Sequence, residues 1–160
     1  MNVTVDIDID NDCLNHWVPE ITDMGFWINS AHDTIESNIE QANVSVRVVT
    51  EQRSASLNKQ YRDKDYATNV LSFTCELPAS TVAELDVAPL GDIAICAPVV
   101  EVEAKQQGKS LSAHWAHLLT HGFLHLNGYE HNDKASAEIM ESAEIAILSK
   151  LGFPNPYLTN

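Results

Sequence analysis

Cysteine is scarce in this chain. Cys13, Cys75 and Cys96 are odd in number, widely spaced and without a C-x-x-C pair, so neither a disulfide framework nor a thiolate zinc site is expected. Lysine and arginine are also few, nine against 23 aspartates and glutamates, and the formal net charge of −14 counts against broad affinity for phosphates. No apolar run approaches the ~20 residues that span a bilayer. The first residues, Met1-Asn-Val-Thr-Val-Asp-Ile-Asp, have neither a basic region nor a signal-type apolar core, so a cytoplasmic protein is expected. None of the six glycines forms a phosphate-binding loop after a strand, which removes the usual reason for a doubly wound parallel sheet.

What is present is concentrated in one stretch, His121-Gly-Phe-Leu-His125-Leu-Asn-Gly128-Tyr-Glu-His131, which spaces three histidines as H-x-x-x-H-x-x-G-x-x-H. On a helix over residues 111–126, His121 and His125 lie about 40° apart around the axis and about 6 Å apart along it, so both rings can grip one ion. Gly128 tolerates positive φ and can turn the chain back to bring His131 into a third position. Three imidazoles leave a fourth position open for water, and that pattern suits a catalytic Zn2+. Zinc peptidases place a glutamate directly after the first histidine as general base, but here that residue is Gly122. The spacing therefore argues for metal-assisted hydrolysis, and the missing carboxylate argues against ordinary peptidase chemistry. His114 and His117 fall on or near the same helical face. Surface exposure is expected for His114, while hydrogen bonding to a ligand, substrate contact and exposure all stay open for His117.

The 160 residues, 44% hydrophobic and 20% charged, suit one domain spanning 1–160. Alternation predicts strands at about 3–10 and 44–50, and residues 70–75 and the short, largely apolar 91–97 read as a third and fourth. Helices are expected from Pro19 to about residue 36, with Ile21, Met24, Phe26, Trp27, Ile28 and Ile35 as its apolar residues, and over 51–64, 98–107, 111–126 and 133–151. Residues 76–90, with Pro78 and Pro89, read as a long loop. In the last helix Met140, Ala143, Ile147, Leu148 and Leu151 mark the core face, and Gly152 and Pro154 end it. His16 and His32 have no partner nearby in sequence and read as incidental. These elements give an α+β fold, a small mixed four-stranded sheet packed with helices. Charge is uneven along the chain. Residues 1–46 have nine acidic residues and no lysine or arginine, whereas 47–64 carry Arg47, Arg53, Lys59, Arg62 and Lys64 against Glu51 and Asp63, a net +3. Beside a dication, that segment can hold a polyanion which the rest of the surface repels.

The segment His114-Trp-Ala-His-Leu-Leu-Thr-His-Gly-Phe-Leu-His-Leu-Asn-Gly-Tyr-Glu-His131 resembles the signature of the bacterial YbeY endoribonucleases. Leu57-Asn-Lys-Gln-Tyr-Arg62-Asp-Lys-Asp-Tyr-Ala-Thr-Asn-Val-Leu-Ser-Phe73 resembles that family's arginine-bearing segment, and Leu90-Gly-Asp-Ile-Ala-Ile95 its short strand. The resemblance implies a zincin-like α+β fold and cleavage of single-stranded RNA. It also implies action at the ribosome, with maturation of the 3′ end of small-subunit ribosomal RNA and quality control of assembled ribosomes. Carried over by position, His121, His125 and His131 become the zinc ligands, and Arg62 the catalytic or substrate-binding arginine acting with His121. Glu130 stands where the signature more often has Asp, and Ala67 where it often has Pro. Two other readings stay open: a metallopeptidase with a base from another segment, and a ribosome-assembly factor whose zinc is structural, with His117 completing the ligand set.

Overall fold

The computed structural model describes residues 4–158, so Val3 of the first expected strand lies outside the described residues. Chain order is β1 (Thr4–Asn11), α1 (Ile21–Thr34), β2 (Gln41–Val49), α2 (Glu51–Arg62), β3 (Val70–Thr74), α3 (Ala79–Val82), β4 (Ala88–Cys96), α4 (Ala97–Gln107), α5 (Leu111–Leu126) and α6 (Lys134–Lys150). The expected α+β architecture is present. The four strands form one mixed sheet in the order β1-β2-β4-β3, with β1, β2 and β4 parallel and β3 antiparallel at the edge.

One face of the sheet builds the core. Ala42, Val44, Val46 and Val48 alternate inward along β2, and Ile93 and Ile95 along β4, as period-two patterning requires. Helices α1 and α5 lie on this face and against each other, and α6 packs against both. Trp115, Leu119, Phe123 and Leu124 of α5 are fully buried, each worth roughly 1.5–3 kcal/mol of transfer free energy. In α1 the buried stripe is Met24, Trp27, Ile28 and Ala31, at helical spacing, whereas Phe26 and Ile21 lie on its outer side and are exposed. Of the histidines read as incidental, His32 is buried and bonds the Ile39 carbonyl at 2.8 Å, and half-buried His16 lies 2.9 Å from Glu101. The three cysteines are free thiols.

The stretch expected to be a loop, 76–90, is more structured than its prolines suggest. It carries the short α3, and β4 begins at Ala88, so Pro89 lies inside the strand. A register shift accounts for this, because Asn43 pairs with Pro89 and the next residue, Val44, pairs with Gly91. The extra residue on β4 makes a bulge, one of the few places in a sheet where a proline without N–H is tolerated.

Gly91, just after the bulge, has φ +140°, and a Cβ there would lie 2.1 Å from the Phe73 carbonyl oxygen and 2.9 Å from Leu126 of α5. The glycine therefore sets how closely β3 and α5 approach β4. Gly91→Ala is expected to cost more than about 2 kcal/mol and lower Tm by roughly 5 °C or more, read by thermal unfolding followed by circular dichroism. An unchanged Tm would show that the bulge yields instead.

Candidate metal centre

The centre is built at the C-terminal end of α5. Ser110 caps the helix start, its hydroxyl accepting from the Ala113 N–H at 3.1 Å. At the other end Asn127 closes the helix and Gly128, at φ +91°, reverses the chain. The Gly128 N–H donates to the His125 carbonyl and the Tyr129 N–H to the Leu124 carbonyl, each at 3.0 Å. This reversal brings His131 back over the last turn of α5. His121, His125 and His131 each offer a ring nitrogen, and the three atoms lie within 4.8 Å of one another.

The geometry fits a tetrahedral dication. His121 Nε2 and His125 Nε2 face each other at 3.1 Å, close to the ~3.3 Å separation of two nitrogens that each sit 2.0–2.1 Å from one zinc. His125 is held below its ordinary pKa, first by burial and then by the neighbouring His121 and His131 rings, which favours the neutral form that binds metal.

Behind the histidines lies a carboxylate that the sequence pattern did not single out. Glu144 of α6 is fully buried, and its Oε1 accepts from His121 Nδ1 and from His117 Nε2, each at 3.0 Å. Its Oε2 accepts from the Tyr157 hydroxyl at 2.5 Å. Burial alone would raise its pKa, but the bonds from His117, His121 and Tyr157 together outweigh it and hold the group ionised, at about 2. A proton kept on His121 Nδ1 leaves Nε2 free to face the ion. Burial, reinforced by this carboxylate, pushes the Tyr157 hydroxyl well above its ordinary pKa, so it stays a donor.

The remaining candidates divide clearly. His117 is engaged with Glu144 and stands apart from the three converging rings, so it is not brought in as a fourth ligand. His114, expected at the surface, is instead buried: α4 packs against α5 and supplies Glu103, whose Oε1 lies 2.9 Å from His114 Nε2. Glu103 also accepts from Asn69 Nδ2 at 3.0 Å, tying α4 to the start of β3. Glu130 is exposed and accepts from Asn132 Nδ2 rather than supporting an imidazole. At Gly122 an added Cβ would sit 3.1 Å from both Ile93 Cγ2 and Ser72 Oγ, so this position faces the sheet, and α5 packs there too tightly to take a glutamate without shifting.

Arg62 is the last residue of α2, on the opposite face of the sheet from α5. The connection to β3 is lashed back onto that helix. Ser54 Oγ donates to the Thr68 carbonyl (2.8 Å) and accepts from its N–H (2.9 Å), and Asn58 Nδ2 donates to the Tyr66 carbonyl (2.9 Å). Ser54, Asn58 and Arg62 are four residues apart in turn, so Arg62 continues the face that meets the β3 edge. There it lines the same cleft, of about 590 Å3, as the three histidines, Tyr129 and Glu130.

Glu144→Gln keeps the shape but offers one strong acceptor oxygen where the carboxylate offers two. It is expected to weaken zinc binding about 10- to 100-fold in chelator competition, with little change in helix content. Equal zinc affinity in the variant and the parent would remove Glu144 from the metal centre.

Comparison with known proteins agrees with this architecture. The family model described as endoribonuclease YbeY matches residues 5–152. An endoribonuclease YbeY from Cellvibrio japonicus is 44% identical over 151 residues, covering 94% of this chain and 82% of the relative. One from Xanthomonas axonopodis pv. citri is 49% identical over 140 residues, covering 88% and 85%. A solution structure of a Thermotoga maritima protein superposes with a TM-score of 0.56 over 91% of each chain at 23% identity, a likeness of fold. Matching along nearly its whole length, and with the histidines of the motif drawn into one centre, the chain belongs to the YbeY endoribonuclease family.

Proposed function

We propose that the chain is a zinc-dependent endoribonuclease that cleaves single-stranded RNA, with one zinc held by His121, His125 and His131. The observation that carries this reading is that three converging imidazoles and Arg62 line one cleft. Arg62 makes no side-chain hydrogen bond or ion pair among the described residues, so its fork is available to a ligand. A planar, permanently charged guanidinium matches two phosphate oxygens at once and stabilises charge that builds on phosphorus during cleavage. Zinc in such a site lowers the pKa of a coordinated water towards neutrality and polarises a phosphoryl oxygen.

The chain's own residues then have separate tasks. Arg62 would position the scissile phosphate, the three histidines would hold the ion, and Glu144, accepting from His121 Nδ1, fixes the tautomer of that ring. The relatives carry the name endoribonuclease, which supports an RNA substrate for this chain as well. The substrate we propose is ribosomal RNA, met at the ribosome or its small subunit in the cytoplasm, with maturation of the 3′ end of small-subunit RNA and late ribosome quality control as the setting. Among the described residues no helix is long and apolar enough to cross a membrane.

The experiment is single-turnover cleavage of single-stranded and duplex RNA, with casein as a peptide control. At matched zinc occupancy, Arg62→Lys should cut single-stranded RNA more slowly than the parent and Arg62→Ala more slowly still, by roughly 10²–10³-fold, the range for losing one preorganised donor. Zinc content should not change, because the arginine is not a ligand. Equal RNA cleavage by Arg62→Ala and the parent would refute the phosphate role, and cleavage of casein in preference to RNA would overturn the nuclease reading.

A further inference from the structure

The cleft has a wall that neither the metal centre nor Arg62 uses. It is the outer edge of β3, the edge strand that pairs only with β4. Cys96 N–H donates to the Asn69 carbonyl at 2.9 Å and Cys75 N–H to the Leu90 carbonyl at 3.0 Å, at the two ends of the ladder. Between them Leu71 pairs with Ala94 and Phe73 with Asp92. Antiparallel pairing alternates, so Asn69, Leu71, Phe73 and Cys75 turn their backbone groups towards β4, and Val70, Ser72 and Thr74 turn theirs away from the sheet. The Val70 N–H is taken by the Asn69 side chain at 2.6 Å. The N–H groups of Ser72 and Thr74 and the carbonyls of Val70, Ser72 and Thr74 have no protein partner among the described residues. Val70, Ser72 and Thr74 line the same cleft as His121, His125 and Arg62.

An open row of this kind is normally covered, charged or shortened, because it invites pairing. Here it runs beside Arg62 and the three histidines, and the chemistry of its occupant can be read from the groups offered. Ser72 presents a donor and an acceptor side by side, and Thr74 repeats the pair two residues on, about 6.8 Å away. Bases offer adjacent donors and acceptors on their Watson–Crick and Hoogsteen edges, and single-stranded RNA is recognised through such edges once the bases are splayed apart. Stacked bases, about 3.4 Å apart, are too closely spaced to match the row, and in a duplex the Watson–Crick edges are already paired. The cation on the rim, Arg62, favours a polyanion over a neutral peptide strand for the same edge.

We infer that the open edge of β3 is the nucleobase subsite of the cleft, its Ser72 and Thr74 backbone groups hydrogen-bonding unpaired, unstacked bases while Arg62 holds the phosphate. The inference rests on the endoribonuclease reading and deepens it, because it makes selection for single strands a property of one exposed strand edge. Main-chain groups have no base identity, so the subsite tolerates sequence while rejecting paired bases.

The test uses the zinc-loaded full chain and fluorescence anisotropy, extrapolated to zero time. The ligands are a short single-stranded oligoribonucleotide and the same strand with its internal bases removed. The parent should bind the abasic strand about tenfold or more weakly, because several base contacts are lost together. Thr74→Pro deletes one N–H that faces away from β4 and leaves the ladder intact, so it should melt near the parent temperature. It should bind intact RNA about 3- to 10-fold more weakly and abasic RNA as the parent does. Equal affinity of the parent for intact and abasic strands would overturn the subsite while leaving the nuclease reading in place, and that comparison decides the matter even if Thr74→Pro does not fold. A folded Thr74→Pro with undiminished affinity for intact RNA would also overturn it. So would loss in that variant of binding to an extended casein peptide but not to RNA, which would assign the edge to polypeptide. A parent that binds neither strand would remove the endoribonuclease reading, and the subsite with it.

Discussion

The tight seating of α5 on β3 and β4 is the constraint from which the rest of the centre follows. Gly122 leaves no side chain between the helix and Ile93 or Ser72, and Gly91 leaves none between β4 and Leu126 or the Phe73 carbonyl. With those two approaches made, Ser72 Oγ donates to the Gly122 carbonyl at 3.2 Å, and the helix is fixed against the edge strand. His121 and His125 then line the cleft beside the β3 edge, and the reversal at Gly128 returns His131 to them. A glutamate at 122, the feature that would have suggested a peptidase, would push its Cβ to 3.1 Å from Ile93 and Ser72 and require one of them to give way. The glycine thus serves the packing of α5 on the sheet as well as removing a carboxylate from the site.

A second layer of order comes from carboxylates placed behind imidazoles. Glu144 answers His121 and His117, and Glu103 answers His114, so α5 carries a row of histidines whose ring orientations are set from α6 and α4. An ionised group taken fully out of water is costly unless each oxygen is satisfied, and Glu144 meets that condition through two imidazoles and the Tyr157 hydroxyl. The C-terminal segment thereby becomes part of the site, since Tyr157 lies after α6 has ended yet closes the carboxylate's last bond.

Much of this was legible in the sequence. The period-two strands, the capped α5 and the histidine spacing all depend on local chemistry, and the strands and helices they predict are present. What was not legible depends on partners far along the chain. Phe26 and Ile21 are as apolar as their buried neighbours, and only the packing of α1 on the sheet puts them outside. Pro89 reads locally as a loop residue, and only the bulge opposite β2 admits it to β4. His114 looked like a surface histidine because Glu103 sits in a different helix. Glu144 did leave a trace: it falls between Met140 and Ile147 in an otherwise apolar stripe, at positions 140, 144, 147, 148 and 151. A charge at a core position of an amphipathic helix signals a buried partner.

The proposed function stands or falls on a three-histidine site open on the cleft side. X-ray absorption at the zinc edge of the metal-loaded protein measures this directly. The account predicts three imidazole nitrogens at about 2.0–2.1 Å with at least one further light, non-imidazole ligand, reduced to two imidazoles in His131→Ala. A shell of four imidazoles would make His117 a ligand and the zinc structural, and would contradict the account.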